Sequence, residues 1–244
     1  MMHFHVVIPA RYASSRLSGK PLCDVNGKAL VHRVYDVAVA SGATEVVVAT
    51  DDERIVAYCE ANALPVLLTC TSHQSGTDRC AEVARTRQWP ADDIVVNLQG
   101  DEPLVPAAYL LTAAQYVGAY DLSTLAAPLA TSEGSNPNRV KVVRDARGGA
   151  LYFSRAPIPF DRDGRGNPAQ VPLHHIGIYA YRVRALDRLS ELAPCPLEQT
   201  ESLEQLRALY HGFTIRVARV DAPPGPGVDT PDDLARVRAV LAAR

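Results

Sequence analysis

The sequence contains few of the features that mark secreted, membrane-spanning or disulfide-stabilised proteins. Its five cysteines are odd in number and form no C-x-x-C pair, which argues against a disulfide framework and a cysteine-ligated zinc site. No apolar run reaches the roughly 18 residues of a membrane span. Residues 1–9 have no basic segment before their short apolar run, so they predict a buried strand and not a signal peptide. We therefore expect a cytoplasmic protein with reduced thiols and no membrane partner.

The sequence also lacks an excess of either charge. It has 25 basic and 27 acidic residues, with a formal net charge of −2. General nucleic-acid binding depends on a strongly basic surface, so we expect no nucleic-acid partner. Lysine is scarce among the basic residues, since only Lys20, Lys28 and Lys141 are present. In such an arginine-biased chain, a lysine can mark a place where a compact ammonium is needed.

Two common nucleotide-binding motifs are absent. The chain has neither the P-loop pattern G-x-x-x-x-G-K-[ST] nor the dinucleotide pattern G-x-G-x-x-G. Walker-type ATPase chemistry and hydride transfer are therefore disfavoured.

The first hundred residues do show a regular alternation of strand and helix patterns. Candidate strands at 4–8, 45–50, 66–69 and 94–98 are separated by candidate helices at 29–41, 51–63 and 76–88. This alternation is typical of right-handed β-α-β units and predicts an α/β fold with a doubly wound, mostly parallel sheet. Asp51 is expected to cap the second helix.

The second half of the chain is less regular. Residues 131–182 are rich in Gly, Pro, Asn and Arg and include short strand-like pieces, so they predict an inserted lid region within a single domain spanning 1–244. Beyond it we predict a helix at 198–210, a strand at 214–220 and an amphipathic helix from Pro231 onward. The strand predicted at 175–182 places His175, Gly177 and Tyr179 on one face.

The loop at residues 9–21 has the composition of a polyphosphate-binding segment. It follows the first strand, and ligands of doubly wound sheets bind at the carboxyl ends of strands. It offers Arg11, Arg16 and Lys20 together with serine hydroxyls and backbone N–H groups, which suit phosphate oxygens. The alternative is a solvated basic loop.

Two aspartates are candidates for a metal site. Asp101 follows the fourth strand, where a hard divalent cation bridging phosphates would need a carboxylate. A turn or helix start is the alternative for Asp101. Asp229 or Thr230 is a candidate cap for the last helix, and Asp229 is also a candidate second metal ligand beside Asp101.

Other polar residues allow both a structural and a functional interpretation. Arg155 is suited to bidentate carboxylate binding or to a surface ion pair. His175 is a candidate ligand-binding residue or a buried core histidine. The predicted helix at 198–210 places Leu203, Leu206 and Tyr210 on a core stripe, and it places Glu201, Glu204 and Gln205 on another face.

Taken in order, these segments resemble the 3-deoxy-manno-octulosonate cytidylyltransferase (CMP-Kdo synthetase) family over nearly the whole chain. The segments that carry the resemblance are 8–17, 19–22, 49–51, 73–79, 97–103, 136–143, 151–155, 175–179, 203–207 and 227–231. Two positions depart from the family pattern, since Ser18 replaces a usual proline and His174 replaces a common Arg or Lys.

The resemblance implies a nucleotidyltransferase-like fold with an inserted dimerisation region, and therefore a homodimer. It implies transfer of CMP from CTP to the anomeric hydroxyl of 3-deoxy-D-manno-octulosonate (Kdo), with Mg²⁺, giving CMP-Kdo and pyrophosphate for lipopolysaccharide synthesis.

The resemblance also assigns roles residue by residue. Lys20, Asp101 and Asp229 are implied to be catalytic, and the two aspartates match the Mg²⁺ ligands. The implied nucleotide-binding residues are Ala10, Arg11, Arg16, Lys20, Gln74, Ser75, Gly76 and Gln99. The implied sugar-binding residues are Gln99, Arg155, His175, Tyr179, Glu204 and Gln205.

Three alternatives stay open. One is a cytidylyltransferase for a related acid sugar, 8-amino-Kdo or an N-acylneuraminate. Another is a sugar-1-phosphate nucleotidyltransferase, although those enzymes usually begin with G-x-G-T-R. A catalytically silent nucleotide-binding module is the third, and the presence of Asp101 and Asp229 together with the basic loop argues against it.

Overall fold

The computed structural model describes residues 2–13, 17–163 and 172–243. The strands are β1 (His5–Ala10), β2 (Asp24–Val25), β3 (Lys28–Ala29), β4 (Glu45–Thr50), β5 (Val66–Leu68), β6 (Ile94–Asn97), β7 (Leu122–Pro128), β8 (Lys141–Arg144), β9 (Ala150–Ser154), β10 (Leu173–Arg182) and β11 (Ile215–Arg219). The α-helices are α1 (Leu30–Ala40), α2 (Glu53–Ala61), α3 (Gly76–Thr86), α4 (Ala107–Tyr116), α5 (Val183–Ser190), α6 (Pro196–Glu201), α7 (Gln205–Tyr210) and α8 (Pro231–Ala242).

The main sheet has the strand order β11-β7-β10-β6-β1-β4-β5. The neighbours β6, β1, β4 and β5 run parallel, as do β7 and β11, whereas β10 is antiparallel to both β6 and β7. The predicted α/β fold with a doubly wound, mostly parallel sheet is confirmed.

Alternate residues of the central strands enter different cores. In β1, Val6 and Ile8 pack in one core with residues of α1, α2 and α4, while Val7 packs in a second core with residues of α3 and α5. A strand covered by helices on both faces must be apolar on both faces. This is why the central strands form nearly continuous runs of valine and isoleucine in the sequence.

The region predicted as an insertion contains an antiparallel ladder of β8 and β9, and β8 also pairs with the start of β10. Its last part, β10, is a central strand of the main sheet. The division of the chain into one domain with an insertion stays a prediction.

Two predictions about helices were wrong. Asp52, and not Asp51, caps α2 by accepting a hydrogen bond from the Arg54 amide at 3.0 Å. The helix predicted at 198–210 is two helices, because Ser202 adopts a left-handed conformation with φ 51°. At this break the carbonyls of Glu201 and Ser202 accept hydrogen bonds from the Arg155 guanidinium.

The last helix begins as predicted. Thr230 is its cap and forms a reciprocal pair of hydrogen bonds with Asp233, and Pro231 occupies the first turn. Among the described residues, no helix is both long and apolar enough to cross a membrane.

Candidate active site

A cavity of about 400 Å³ lies at the carboxyl ends of β1 and β6, beside the amino end of α3. This is the sheet edge where parallel α/β folds bind ligands. Its lining includes Ala10, Arg11, Lys20, Gln74, Gly76, Arg79, Gln99, Gly100, Asp101 and Asp229. The structure thus brings together most of the predicted nucleotide-binding and metal-binding residues. Arg16, which was predicted to bind the triphosphate, lies outside the described residues.

Lys20 lies between the two predicted metal ligands. Its Nζ is 2.7 Å from Asp101 Oδ2 and 3.2 Å from Asp229 Oδ1. Burial opposes the charge of the ammonium, but the two carboxylates outweigh burial and raise the pKa of Lys20. The site therefore already holds one cation between two carboxylates.

A close contact between two loops places Asp101 at this position. The Gly100 amide donates to the Pro9 carbonyl at 3.2 Å, and a β-carbon on Gly100 would lie only 2.7 Å from that oxygen. The glycine thus lets the loop after β6 lie against the loop after β1. The Val228 amide donates to the Asp101 carbonyl at 2.8 Å, which brings the neighbouring Asp229 to the same site.

The amino end of α3 closes another side of the cavity. Ser75 caps this helix by accepting a hydrogen bond from the Asp78 amide, and Asp78 bonds back to the Ser75 amide. The N–H groups and the dipole at such an end favour an anion. Arg11 lies near it and donates to the carbonyl of His73. The Ser75 hydroxyl is therefore a helix cap, while Gly76 contributes to the cavity wall.

Arg79 was not assigned to the site by sequence reasoning. Its side chain is fully buried and donates to Asp51 and Thr69, both at 2.6 Å. It also lines the cavity, and its Nε has no hydrogen-bond partner within the described residues. An arginine inside an α-helical pattern usually indicates an exposed face, so local periodicity gave no indication of this burial.

A second, smaller cavity of about 40 Å³ adjoins the first through Gln99, which lines both. It is bordered by the predicted sugar-binding residues Tyr179, Glu204 and Gln205. Four buried polar atoms here have no hydrogen-bond partner in the described part of the chain: Asn97 Oδ1, Tyr179 Oη, Glu204 Oε1 and Gln205 Nε2. Each such atom costs about 1–3 kcal/mol when it stays unpaired, so the cluster is typical of a polar ligand site.

Burial sets the protonation of this cluster. It raises the pKa of Glu204, although hydrogen bonds from Thr77 and Ser75 and the charge of Arg207 act in the opposite direction. Burial, with Tyr181 and Glu204 as neighbours, raises the pKa of Tyr179 well above its usual value. The Tyr179 hydroxyl thus stays protonated at neutral pH and can donate a hydrogen bond.

His175 faces a third cavity, of about 480 Å³, which Gln99 also lines. Its Nε2 lies 3.0 Å from Thr124 Oγ1, and its ring centroid is 5.4 Å from that of Tyr179. Burial lowers the pKa of His175 to about 3, so the imidazole is neutral. The His175 side chain is thus hydrogen-bonded in the core and also lies beside the cluster of unpaired polar atoms.

Arg155 does not line any of these three cavities. Its guanidinium donates to the carbonyls of Pro137, Glu201 and Ser202, and its amide donates to the Glu201 carboxylate. Arg155 therefore joins the inserted region to the break between α6 and α7. Its predicted contact with the sugar acid stays a prediction.

Glu102 is a second residue that sequence reasoning missed. Burial, followed by the charges of Asp101 and Asp229, raises its pKa to about 8, and its Oε2 has no partner among the described groups. Its position directly after Asp101 made it indistinguishable from a turn residue in the sequence.

Comparisons with known proteins show the family and the fold of the chain. A family model described as cytidylyltransferase matches residues 5–215. The chain is 52% identical to the 3-deoxy-manno-octulosonate cytidylyltransferase 2 of Paraburkholderia phytofirmans, over 97% of this chain and 93% of that protein. It is 50% identical to the 3-deoxy-manno-octulosonate cytidylyltransferase of Vibrio parahaemolyticus, over the full length of both. A solved structure of CMP:2-keto-3-deoxy-manno-octonic acid synthetase complexed with CTP superposes with a TM-score of 0.91 at 44% identity, covering 100% of this chain and 99% of that one.

Proposed function

Because the chain belongs to the cytidylyltransferase family, we propose that it transfers CMP from CTP to the anomeric hydroxyl of Kdo, giving CMP-Kdo and pyrophosphate. The placement of Gln99 carries this proposal. Gln99 borders both the cavity with the two aspartates and the small cavity with the unpaired polar atoms. A nucleotide in the first cavity and an acid sugar in the second would meet at this residue.

The nucleotide half of the reaction requires positioning and neutralisation of charge more than covalent catalysis. Arg11 and Lys20 bind the triphosphate, and Lys20 offsets the charge that develops on the leaving pyrophosphate. The amino end of α3 supports the same anion. Ala10, Gln74 and Gly76 line the cavity where the cytidine is held. No covalent nucleophile is needed.

We propose that Asp101 and Asp229 hold Mg²⁺. Their carboxylates are hard oxygen donors of the kind that Mg²⁺ prefers, and they already share the ammonium of Lys20. When bound, the ion would supply positive charge to the α-phosphate and lower the pKa of the attacking hydroxyl. The chain's own residues hold the two substrates on either side of Gln99.

The unpaired polar atoms of the small cavity bind the acid sugar. Tyr179 donates to an oxygen of the sugar acid, Gln205 donates through its amide nitrogen, and Glu204 accepts from a hydroxyl. The small cavity of about 40 Å³ is too small for the whole acid sugar, since pockets for such ligands usually measure about 300–1,000 Å³. The remainder of the eight-carbon acid therefore extends past Gln99 toward the nucleotide.

We also propose a cytoplasmic homodimer that acts in lipopolysaccharide synthesis without a nucleic-acid partner. Leu151 and Phe160 of the inserted region are 61% and 82% exposed, which supports an apolar contact between two copies. The five cysteines, each in the described part of the chain, are free thiols, which suits a reducing compartment.

Pyrophosphate release tests the reaction. The purified chain is supplied with CTP and Mg²⁺, and with Kdo, 8-amino-Kdo or N-acetylneuraminate in separate reactions. Release with Kdo alone is the expected result. Release with a different acid sugar would keep the nucleotide site and change the acceptor. Binding of CTP without release for any acceptor would support a silent nucleotide-binding module.

The metal assignment is tested with Asp101→Asn. Loss of one carboxylate is expected to lower kcat by about a hundredfold or more, since metal stabilisation supplies several kcal/mol to such reactions. Asp232→Asn is the matched control, because Asp232 is exposed on α8. Full activity of Asp101→Asn at ordinary Mg²⁺ concentrations would contradict the assignment.

A further inference from the structure

Two histidines and an aspartate converge at the sheet edge opposite the active site. His3, His5 and Asp93 each offer a donor atom, and these atoms all lie within 4.8 Å of one another. We propose that these residues bind a divalent transition-metal ion of the zinc type. This inference is independent of the proposed function, because the residues lie at the amino ends of β1 and β6. A strand of six residues spans about 20 Å, and the active site lies at the other end of β1.

The strand register explains why these residues meet. His5 begins β1 and His3 precedes it by two residues, a spacing that places extended side chains on the same face. His5 is opposite Val95 in the parallel pair of β1 and β6. Asp93 precedes Val95 by the same two residues and therefore reaches the pair of imidazoles from the residue directly before β6.

Two of the distances between donor atoms are close to those around a tetrahedral ion. Asp93 Oδ2 lies 3.3 Å from His3 Nε2 and 3.0 Å from His5 Nε2. Zinc bonds to nitrogen and oxygen are about 2.0–2.2 Å long, so donors on a tetrahedral ion are about 3.3–3.5 Å apart. The Asp93–His3 distance therefore agrees with a shared ion, and the Asp93–His5 distance is slightly shorter than such an ion requires.

Neighbouring groups hold both imidazoles in place. The Nδ1 of His3 lies 3.1 Å from Thr44 Oγ1, a contact that orients the opposite ring nitrogen toward Asp93. The ring of His5 stacks on Trp89 with centroids 4.0 Å apart and an angle of 7°, and Trp89 is fixed by its hydrogen bond to Glu45. The Thr44 hydroxyl is an outer partner of the kind that orients a histidine ligand and strengthens metal binding.

The donor set selects the class of metal. Two imidazoles and one carboxylate suit zinc, cobalt or nickel, whereas Mg²⁺ prefers oxygen donors alone. The His3 side chain is 57% exposed while His5 is buried, so an ion can enter from solvent and keep one position for water. The bound ion would join the amino ends of two adjacent central strands. An ion held by all three residues binds the folded chain more tightly than the unfolded chain and therefore stabilises the fold.

The test is a titration of the tag-free, metal-stripped full chain with Zn²⁺ and, separately, with Co²⁺, in the presence of excess Mg²⁺. We expect one Zn²⁺ per chain by calorimetry, a rise in the thermal midpoint with Zn²⁺ beyond that with Mg²⁺ alone, and a visible absorption band of four-coordinate Co²⁺. Absence of Zn²⁺ binding under these conditions would overturn the proposal.

Variants locate the site. His3→Gln removes one exposed ligand and is expected to lower Zn²⁺ affinity at least tenfold and to abolish the Co²⁺ band. Thr44→Val is expected to lower affinity about tenfold, since it removes an outer partner. His211→Gln is the matched control, because His211 is an exposed histidine elsewhere on the surface. Wild-type affinity in a folded His3→Gln variant, or loss of binding in Asp101→Asn instead, would overturn the proposal.

Discussion

The ammonium of Lys20 lies 2.7 Å from the carboxylate of Asp101, although 81 residues separate them in the chain. The contact depends on two parallel strands, β1 and β6, whose carboxyl ends are neighbours in the sheet. The same ammonium also reaches Asp229, which is 209 residues from it. Lys20, Asp101 and Asp229 therefore bring three distant segments of the chain together in one cluster of charged side chains.

We predict that Lys20 and Lys28 differ sharply in importance. Lys20→Met removes the cation beside the leaving phosphates and is expected to lower kcat by about a hundredfold to a thousandfold. Lys28→Met removes a partly exposed lysine that pairs with Asp36 away from the cavity, so its activity should remain close to wild type. Steady-state pyrophosphate release measures both. Equal losses in the two variants would contradict a specific role for Lys20.

Gly100 is predicted to be intolerant of a side chain. In Gly100→Ala the β-carbon would lie 2.7 Å from the Pro9 carbonyl oxygen, so one of the two loops must move. We expect a loss of about 1–3 kcal/mol in the free energy of unfolding and a lower kcat, because Asp101 moves with the loop. Gly177→Ala is the control, since a β-carbon there meets nothing within 4 Å. Urea unfolding and pyrophosphate release compare the two variants. A Gly100→Ala variant with wild-type stability and kcat would refute the close contact between Gly100 and Pro9.

Two neighbouring tyrosines should respond in opposite ways to loss of the hydroxyl. The buried Tyr179 hydroxyl has no partner among the described residues, so Tyr179→Phe should leave the fold equally stable or more stable by about 1 kcal/mol. Its KM for the acid sugar should rise about tenfold, because the donor to the substrate is lost. Tyr181 bonds to Thr77 and Asn97, so Tyr181→Phe should destabilise the fold.

Thermal and urea unfolding, together with KM for CTP and for the acid sugar, distinguish these outcomes. A Tyr179→Phe variant that loses stability while keeping its KM would show that the hydroxyl has a structural role only.

The buried imidazole of His175 predicts a pH dependence of stability. Burial and the neighbouring His174 lower its pKa to about 3, whereas histidine in an unfolded chain titrates near about 6.5. Between these values the unfolded chain binds a proton that the folded chain does not. The stabilising contribution of the neutral imidazole is therefore complete above about pH 6.5 and is lost as the pH falls, by up to about 1.4 kcal/mol per pH unit.

The groups that face His175 are the Thr124 hydroxyl, His174 and the rings of Phe153 and Tyr179. Carboxylates also titrate in this range, so the measurement is the difference between wild type and His175→Gln. Urea unfolding from pH 7 to pH 4.5 should show a shallower loss of stability in the variant. Parallel curves would rule out the buried neutral histidine.

Local patterns in the sequence determined the first half of the fold. Parallel strands buried on both faces must be apolar throughout, and this is visible in the runs that became β1, β4 and β6. Their alternation with amphipathic helices predicted the sheet and the edge at which its ligands bind. Lys20 and Asp101 could be located from sequence because both lie in loops that directly follow such strands.

The tertiary structure alone decided features that depend on contacts between distant residues. The helix predicted at 198–210 is broken at Ser202, where the Arg155 guanidinium donates to the carbonyls of Glu201 and Ser202, and that contact has no periodic pattern. The burial of Arg79 depends on its ion pair with Asp51. Local propensity alone had predicted a different role for Asp51, as a helix cap. Thr230, and not Asp229, caps α8. Asp229 instead lies beside Lys20, because the chain before α8 folds back onto the loop after β6. Local propensity specifies strands and helices over a few residues, whereas a site built from residues 20, 101 and 229 depends on contacts between segments that only the folded chain brings together.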